Sequence, residues 1–144
     1  MNGIDSLEIA KGAITKIREA FPMMEVVVDT TAPVELSVNI PIQTGVKHRI
    51  NLNLQNNDEL HFSVGSFWLE CFPCSEPAKV EAFVSAVKGF LSGRLRVLEH
   101  YRGARCVKAE LQEPVKDDWE TIGVWSKLHV PLPWKTEQRV VSNA

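Results

Sequence analysis

The chain has 144 residues, 44% hydrophobic and 24% charged, and its 16 basic and 18 acidic side chains leave a formal net charge of -2. That length suits one domain with a sizeable core, and the charge balance offers no general basic field for a nucleic acid backbone. The first residues lack a basic stretch followed by an apolar run, and no segment approaches the ~20 apolar residues of a membrane span. With three cysteines, which cannot all pair within one chain, the expectation is a single domain over 1–144, in the cytoplasm, with no membrane and no nucleic acid partner.

Leu7, Ala10, Ile14, Ile17 and Phe21 recur at three- and four-residue steps and predict a first helix of about 16 residues, opened by Asp5 and closed before Pro22. Glu25 to Asp29 reads as a short strand. From Val34 to Ile42 apolar and polar residues alternate with period two. A loop at Gln43-Thr44-Gly45 would pair Ile42 with Val46, Val38 with Ile50, Leu36 with Leu52 and Val34 with Leu54, leaving His48 opposite Ile40.

A second loop at Asn56-Asn57-Asp58 pairs Leu54 with Leu60, Leu52 with Phe62 and Ile50 with Val64. Gly65-Ser66 is a hairpin signal that sets Val64 against Phe67, Phe62 against Leu69 and Leu60 against Cys71. A bulge at Gly65 in one long strand would give the same facing set. His61, Ser63, Trp68 and Glu70 then share the opposite face with Asn53.

Val80, Phe83, Val84, Val87, Phe90 and Leu91 form a second helical stripe, entered through Ser75 and Pro77 and stopped by Gly93. A loop over Tyr101-Arg102-Gly103, or one residue later at each end, continues with two strands. It pairs Val97 with Val107, sets Arg94 against Glu110 and puts His100 and Cys106 together on the polar side. Trp119 to Trp125 is a last strand. Residues 130–144, with Val130-Pro131-Leu132-Pro133-Trp134, are expected to be an extended arm whose order fades beyond Lys135. The sum is an α+β fold: a mostly antiparallel sheet of about six to eight strands, in the order helix, strands, helix, strands, with both helices on one face.

Cys71-Phe72-Pro73-Cys74, with Phe67-Trp68 upstream, resembles the active-site segment of thioredoxins. The resemblance implies a first cysteine at a helix N-terminus, made into a thiolate by the helix dipole. Here the helix begins at Ser75 or later, and hairpin strands replace the parallel unit of that family. Cys71, Cys74, His100 and Cys106 are also the candidate ligands for a zinc ion. A free cysteine is, equally, a small buried hydrophobe.

His61 beside Glu70 offers an acid-base pair for an enzyme or small-ligand site, although no nucleophile elbow, phosphate loop or dinucleotide fingerprint occurs. Trp68 on the non-core face and Trp134 in the arm are the residue type that interfaces favour. The binding residues are therefore expected to be Trp68, His61 and Trp134. The expected function is a non-catalytic protein-binding module without cofactor, acting on a protein partner or on itself as a homodimer. The element order is similar to that of type III secretion chaperones, which implies a partner-binding role.

Overall fold

The computed structural model describes residues 5–127 and 136–144. Within them the order is α1 (Ser6–Ala20), β1 (Val27–Val28), β2 (Leu36–Ile40), β3 (Ile50–Gln55), β4 (Glu59–Val64), β5 (Phe67–Cys71), α2 (Pro77–Leu91), β6 (Arg96–Arg102), β7 (Arg105–Val115), β8 (Asp118–Ser126) and β9 (Glu137–Val141). The fold is α+β and antiparallel in the expected order. Its strands form two sheets, however: five in the order β1-β2-β3-β4-β5 and four in the order β8-β7-β6-β9. The division falls at α2, after which β6 finds its partners only among strands that follow it.

Each helix is bounded by local chemistry. The Asp5 carboxylate accepts the Leu7 amide at 2.9 Å, capping α1, and Pro22 follows its end. Proline opens α2, where its missing N–H is no loss, and Gly93 at φ +82 closes it. Both helices cover the apolar face of the first sheet. Phe62 is the hub beneath them, meeting Phe67 and Phe90 edge-on with ring centroids 6.1 Å apart in each case. Phe62, Phe67, Phe83 and Phe90 are all fully buried, and burial of such a side chain contributes roughly 1.5–3 kcal/mol.

The pairings of β3 with β4 and of β4 with β5 are those expected, from Leu54 with Leu60 through Leu60 with Cys71. Between β2 and β3 the register differs: Leu36 pairs with Leu54, Val38 with Leu52 and Ile40 with Ile50. The loop is longer because Gln43 is occupied elsewhere. Its side-chain oxygen accepts the Glu25 amide at 2.7 Å, and its Nε2 donates to the Glu25 carbonyl at 2.9 Å. A slip of two residues leaves the side chains of β2 and β3 on their expected faces, but Ile42, expected on the apolar face, lies beyond β2 and is exposed, and His48 becomes a half-buried loop residue.

The β6–β7 hairpin is also displaced. Val97 pairs with Leu111 and His100 with Lys108, after which a bulge brings Tyr101 opposite Cys106. Arg94 precedes the strand and lies 3.9 Å from Glu113, not opposite Glu110. The structure continues in order beyond Lys135: β9 pairs with β6, Val97 facing Val141. The Val130–Trp134 segment, including Trp134, lies outside the described residues.

The second sheet adds Val97, Ala109, Leu111 and Val141 to the same core as the first. A polar contact joins the two. Glu99 on β6 is 4% exposed, and its carboxylate accepts the Ser66 amide at 2.6 Å and the Tyr101 hydroxyl at 3.0 Å. Burial, and then the bond to Glu99, raise the Tyr101 phenol above its ordinary value.

Ser66 follows Gly65, whose φ of +57 lies where side chains are disfavoured. A Cβ on Gly65 would stand 2.7 Å from the Glu99 carboxylate. Gly65→Ala is expected to lower stability by about 2 kcal/mol through backbone strain and displacement of Glu99. Urea unfolding measures it, and an unchanged midpoint would contradict this role of the turn.

Candidate functional site

The alternation that sends Leu52, Leu54, Leu60 and Phe62 into the core sends their neighbours to the outer face of the first sheet. Strand pairing arranges these in rows: Asn39, Asn51, Ser63 and Trp68 in one, Ser37, Asn53, His61 and Glu70 in the next, then Gln55 with Glu59. Among the described residues no helix or strand packs over this face.

The side chains instead bond one another in a chain across the strands. Asn51 donates to Asn39 at 2.9 Å and to Ser37 at 3.0 Å, Asn53 donates to Asn51 at 2.8 Å, and Gln55 donates to Asn53 at 3.1 Å. The chain ends at His61, whose Nδ1 lies 3.1 Å from Gln55 Nε2 and accepts the Trp68 indole N–H at 2.5 Å. His61 Nε2 faces Glu59 Oε1 at 3.0 Å.

These contacts decide the state of the ring. An indole N–H can only donate, so Nδ1 must hold a lone pair and the ring proton must sit on Nε2, where it donates to Glu59. Both nitrogens of His61 are thereby engaged, in a side chain only 2% exposed. Bonds from Asn56, and next from His61, hold the Glu59 carboxyl below its ordinary value of 4.5. Trp68 itself remains 45% exposed, its ring centroid 5.0 Å from that of His61. An aromatic side chain is thus fixed in direction while its surface faces solvent.

Glu59, His61 and Glu70 offer three ligand atoms within 4.8 Å of one another. A metal on His61 Nε2 would require the ring proton to move to Nδ1, directly against the Trp68 N–H. The hydrogen bonding therefore favours a Trp68–His61–Glu59 relay over ligation. Glu70, the partner expected for His61, pairs with it across the strands.

The remaining sequence-derived ligands are dispersed. Cys71 ends β5 in the core, where burial pushes its thiol up, and Cys74 is 1% exposed. The helix after them begins only at Pro77. Three free thiols are present, in Cys71, Cys74 and Cys106.

His100 belongs to the second sheet, where its Nε2 meets Glu110 Oε2 at 2.5 Å. Burial alone would raise the Glu110 carboxyl, but bonds from His100 and Thr121 and the charge of Lys108 bring it below its ordinary value. Cys106 pairs with Tyr101, and His100 with Lys108, on either side of the bulge.

Glu59 and Gln55 are the members that sequence reasoning did not single out. Their signal was parity, since each lies two residues from a recognised face residue, His61 or Asn53. The chain matches no protein-family model, no curated protein sequence and no solved structure. Long-range proton–nitrogen NMR at neutral pH is expected to show His61 protonated on Nε2 and bare on Nδ1. The opposite tautomer would overturn the relay.

Proposed function

We propose that this is a non-catalytic binding protein whose contact surface is the outer face of the first sheet, centred on Trp68 and completed by His61. The observation that carries the proposal is the half-exposed Trp68 ring, anchored through its N–H. A ring already held in place loses little conformational freedom on binding, and tryptophan is prominent among residues that dominate interface energies.

The surrounding Asn and Ser groups already bond one another, so covering them costs less than desolvating unpaired groups. A protein partner fits this face: it can place apolar atoms on Trp68 and polar groups on the Asn39–Asn51–Ser63 row. A homodimer through the same face is the symmetric version.

The compartment in this proposal is the cytoplasm, supported by three free cysteines. No helix among the described residues is long and apolar enough to cross a membrane. Chemistry at His61 and Glu70 is the second reading, supported by the grouping with Glu59, but both His61 nitrogens would have to exchange partners first.

Affinity capture from the native cell with wild type and Trp68→Ala, paired with light scattering of each, tests the proposal. The expected result is a partner, or a dimer, present with wild type and lost with Trp68→Ala. Identical partner sets and identical masses would contradict it.

A further inference from the structure

Two N–H donors converge on one lone pair at the centre of the outer face. The Trp68 indole nitrogen lies 2.5 Å from His61 Nδ1, and the Gln55 side-chain nitrogen lies 3.1 Å from the same atom. The other ring nitrogen donates to Glu59 at 3.0 Å. At 2% exposure the ring is closed to water, so its protonation state is written directly into these neighbours.

The charged groups facing the ring are both acidic. β4 itself contributes Glu59, β5 contributes Glu70 directly across from His61, and β3 contributes only the uncharged Asn53 and Gln55. The helix α2 meets β4 on its opposite, core face, where Phe90 packs on Phe62. The Glu59 carboxyl is held below its ordinary value of 4.5, so it stays ionised through the range in which a histidine changes charge. Two carboxylates thus supply the counter-charge that an imidazolium needs.

We propose that His61 is a proton switch for the contact face, which holds the Trp68 ring while neutral and releases it when protonated. The step adds one proton from water to the Nδ1 lone pair; Nε2 keeps its own proton and its bond to Glu59, and the ring becomes a cation. Nδ1 then donates and accepts from neither neighbour. Gln55 can adapt, since rotating its amide by half a turn brings the carbonyl oxygen to Nδ1 at the cost of its bond to Asn53. The indole has only a donor and no such alternative. The proton therefore exchanges Trp68 for Gln55 as the partner of Nδ1, and the half-exposed ring is free to leave.

The switch rests on the binding role proposed for this face and regulates it: a freed ring must be ordered again on contact, so the face binds best while His61 is neutral.

Proton–nitrogen NMR of the isolated protein between about pH 8 and about pH 5 tests the switch. The Trp68 indole N–H is expected to lose its hydrogen-bonded shift in step with the titration of the His61 ring signals. In His61→Gln that step should be absent. Gln55→Glu sets a permanent, charged acceptor at Nδ1 and removes a donor, both of which favour the protonated ring, so the step is expected to move up by about one pH unit or more.

A Trp68 signal that ignores the titration of His61, a ring that stays neutral throughout, a step that survives in His61→Gln or one that Gln55→Glu leaves in place would overturn the switch. The spectra need no partner. A face that binds nothing leaves their result readable, and a Trp68 that stays held in acid leaves the binding role standing.

Discussion

The buried Glu99 carboxylate, on the second sheet, binds the β4–β5 turn of the first and adds a directed contact to the apolar core that the two sheets share. A carboxylate taken out of water without partners costs several kcal/mol. Glu99 is accommodated because the Ser66 amide and the Tyr101 hydroxyl converge on it. The Ser66 amide is free to do so because Gly65, at φ +57, turns the chain there. The apolar contact between the sheets is non-directional and would tolerate several arrangements; the bond from the Ser66 amide crosses between the sheets and selects among them, while Tyr101, on the same strand as Glu99, holds the carboxylate in position.

This constraint reaches the proposed contact face. Phe67, next to Ser66, begins β5, and β5 carries Trp68 outward while Phe67 and Cys71 point into the core. With the turn held by Glu99 and the inner side of β5 packed, the outer side of β5 is placed rigidly beside β4. There His61 receives the Trp68 indole and passes the line of hydrogen bonds to Glu59. A face built this way presents its tryptophan without a covering element and without strain on its polar groups, since no buried side-chain nitrogen or oxygen among the described residues lacks a partner. The same polar saturation that favours binding disfavours catalysis at His61, whose nitrogens are both occupied.

How much of this was legible in the sequence depended on the turns. The hairpins at Asn56-Asn57-Asp58 and Gly65-Ser66 have short loops that permit few registers, so every pair from Leu54 with Leu60 to Leu60 with Cys71 could be read directly. The β2–β3 loop could not, because its length is set by a long-range clamp between Gln43 and Glu25 that leaves no local pattern. The β6–β7 register was lost chiefly to the turn, which closes over Gly103-Ala104 with Arg102 opposite Arg105, and the bulge after His100 shifts it by one residue more. β9 carries Glu137, Gln138 and Arg139 with a single buried valine, Val141, too little alternation to announce a strand. The outer-face members His61, Trp68 and Glu70 followed from parity alone; the burial of His61 and the part of Glu59 did not, because they depend on side chains leaning across strands. Glu99 left one trace, an acidic residue in step with Val97 where the facing pattern expects an apolar one.

The most direct test follows Glu99→Ala through denaturant unfolding by NMR, using the indole N–H signals of Trp68 in the first sheet and Trp125 in the second. With the carboxylate in place, both signals should vanish at one midpoint. Its removal leaves the Ser66 amide and the Tyr101 hydroxyl without their acceptor, and the loss of about 3 kcal/mol that follows from breaking a buried charged contact should move both signals to lower denaturant. A Glu99→Ala protein that unfolds at the wild-type midpoint would contradict the account.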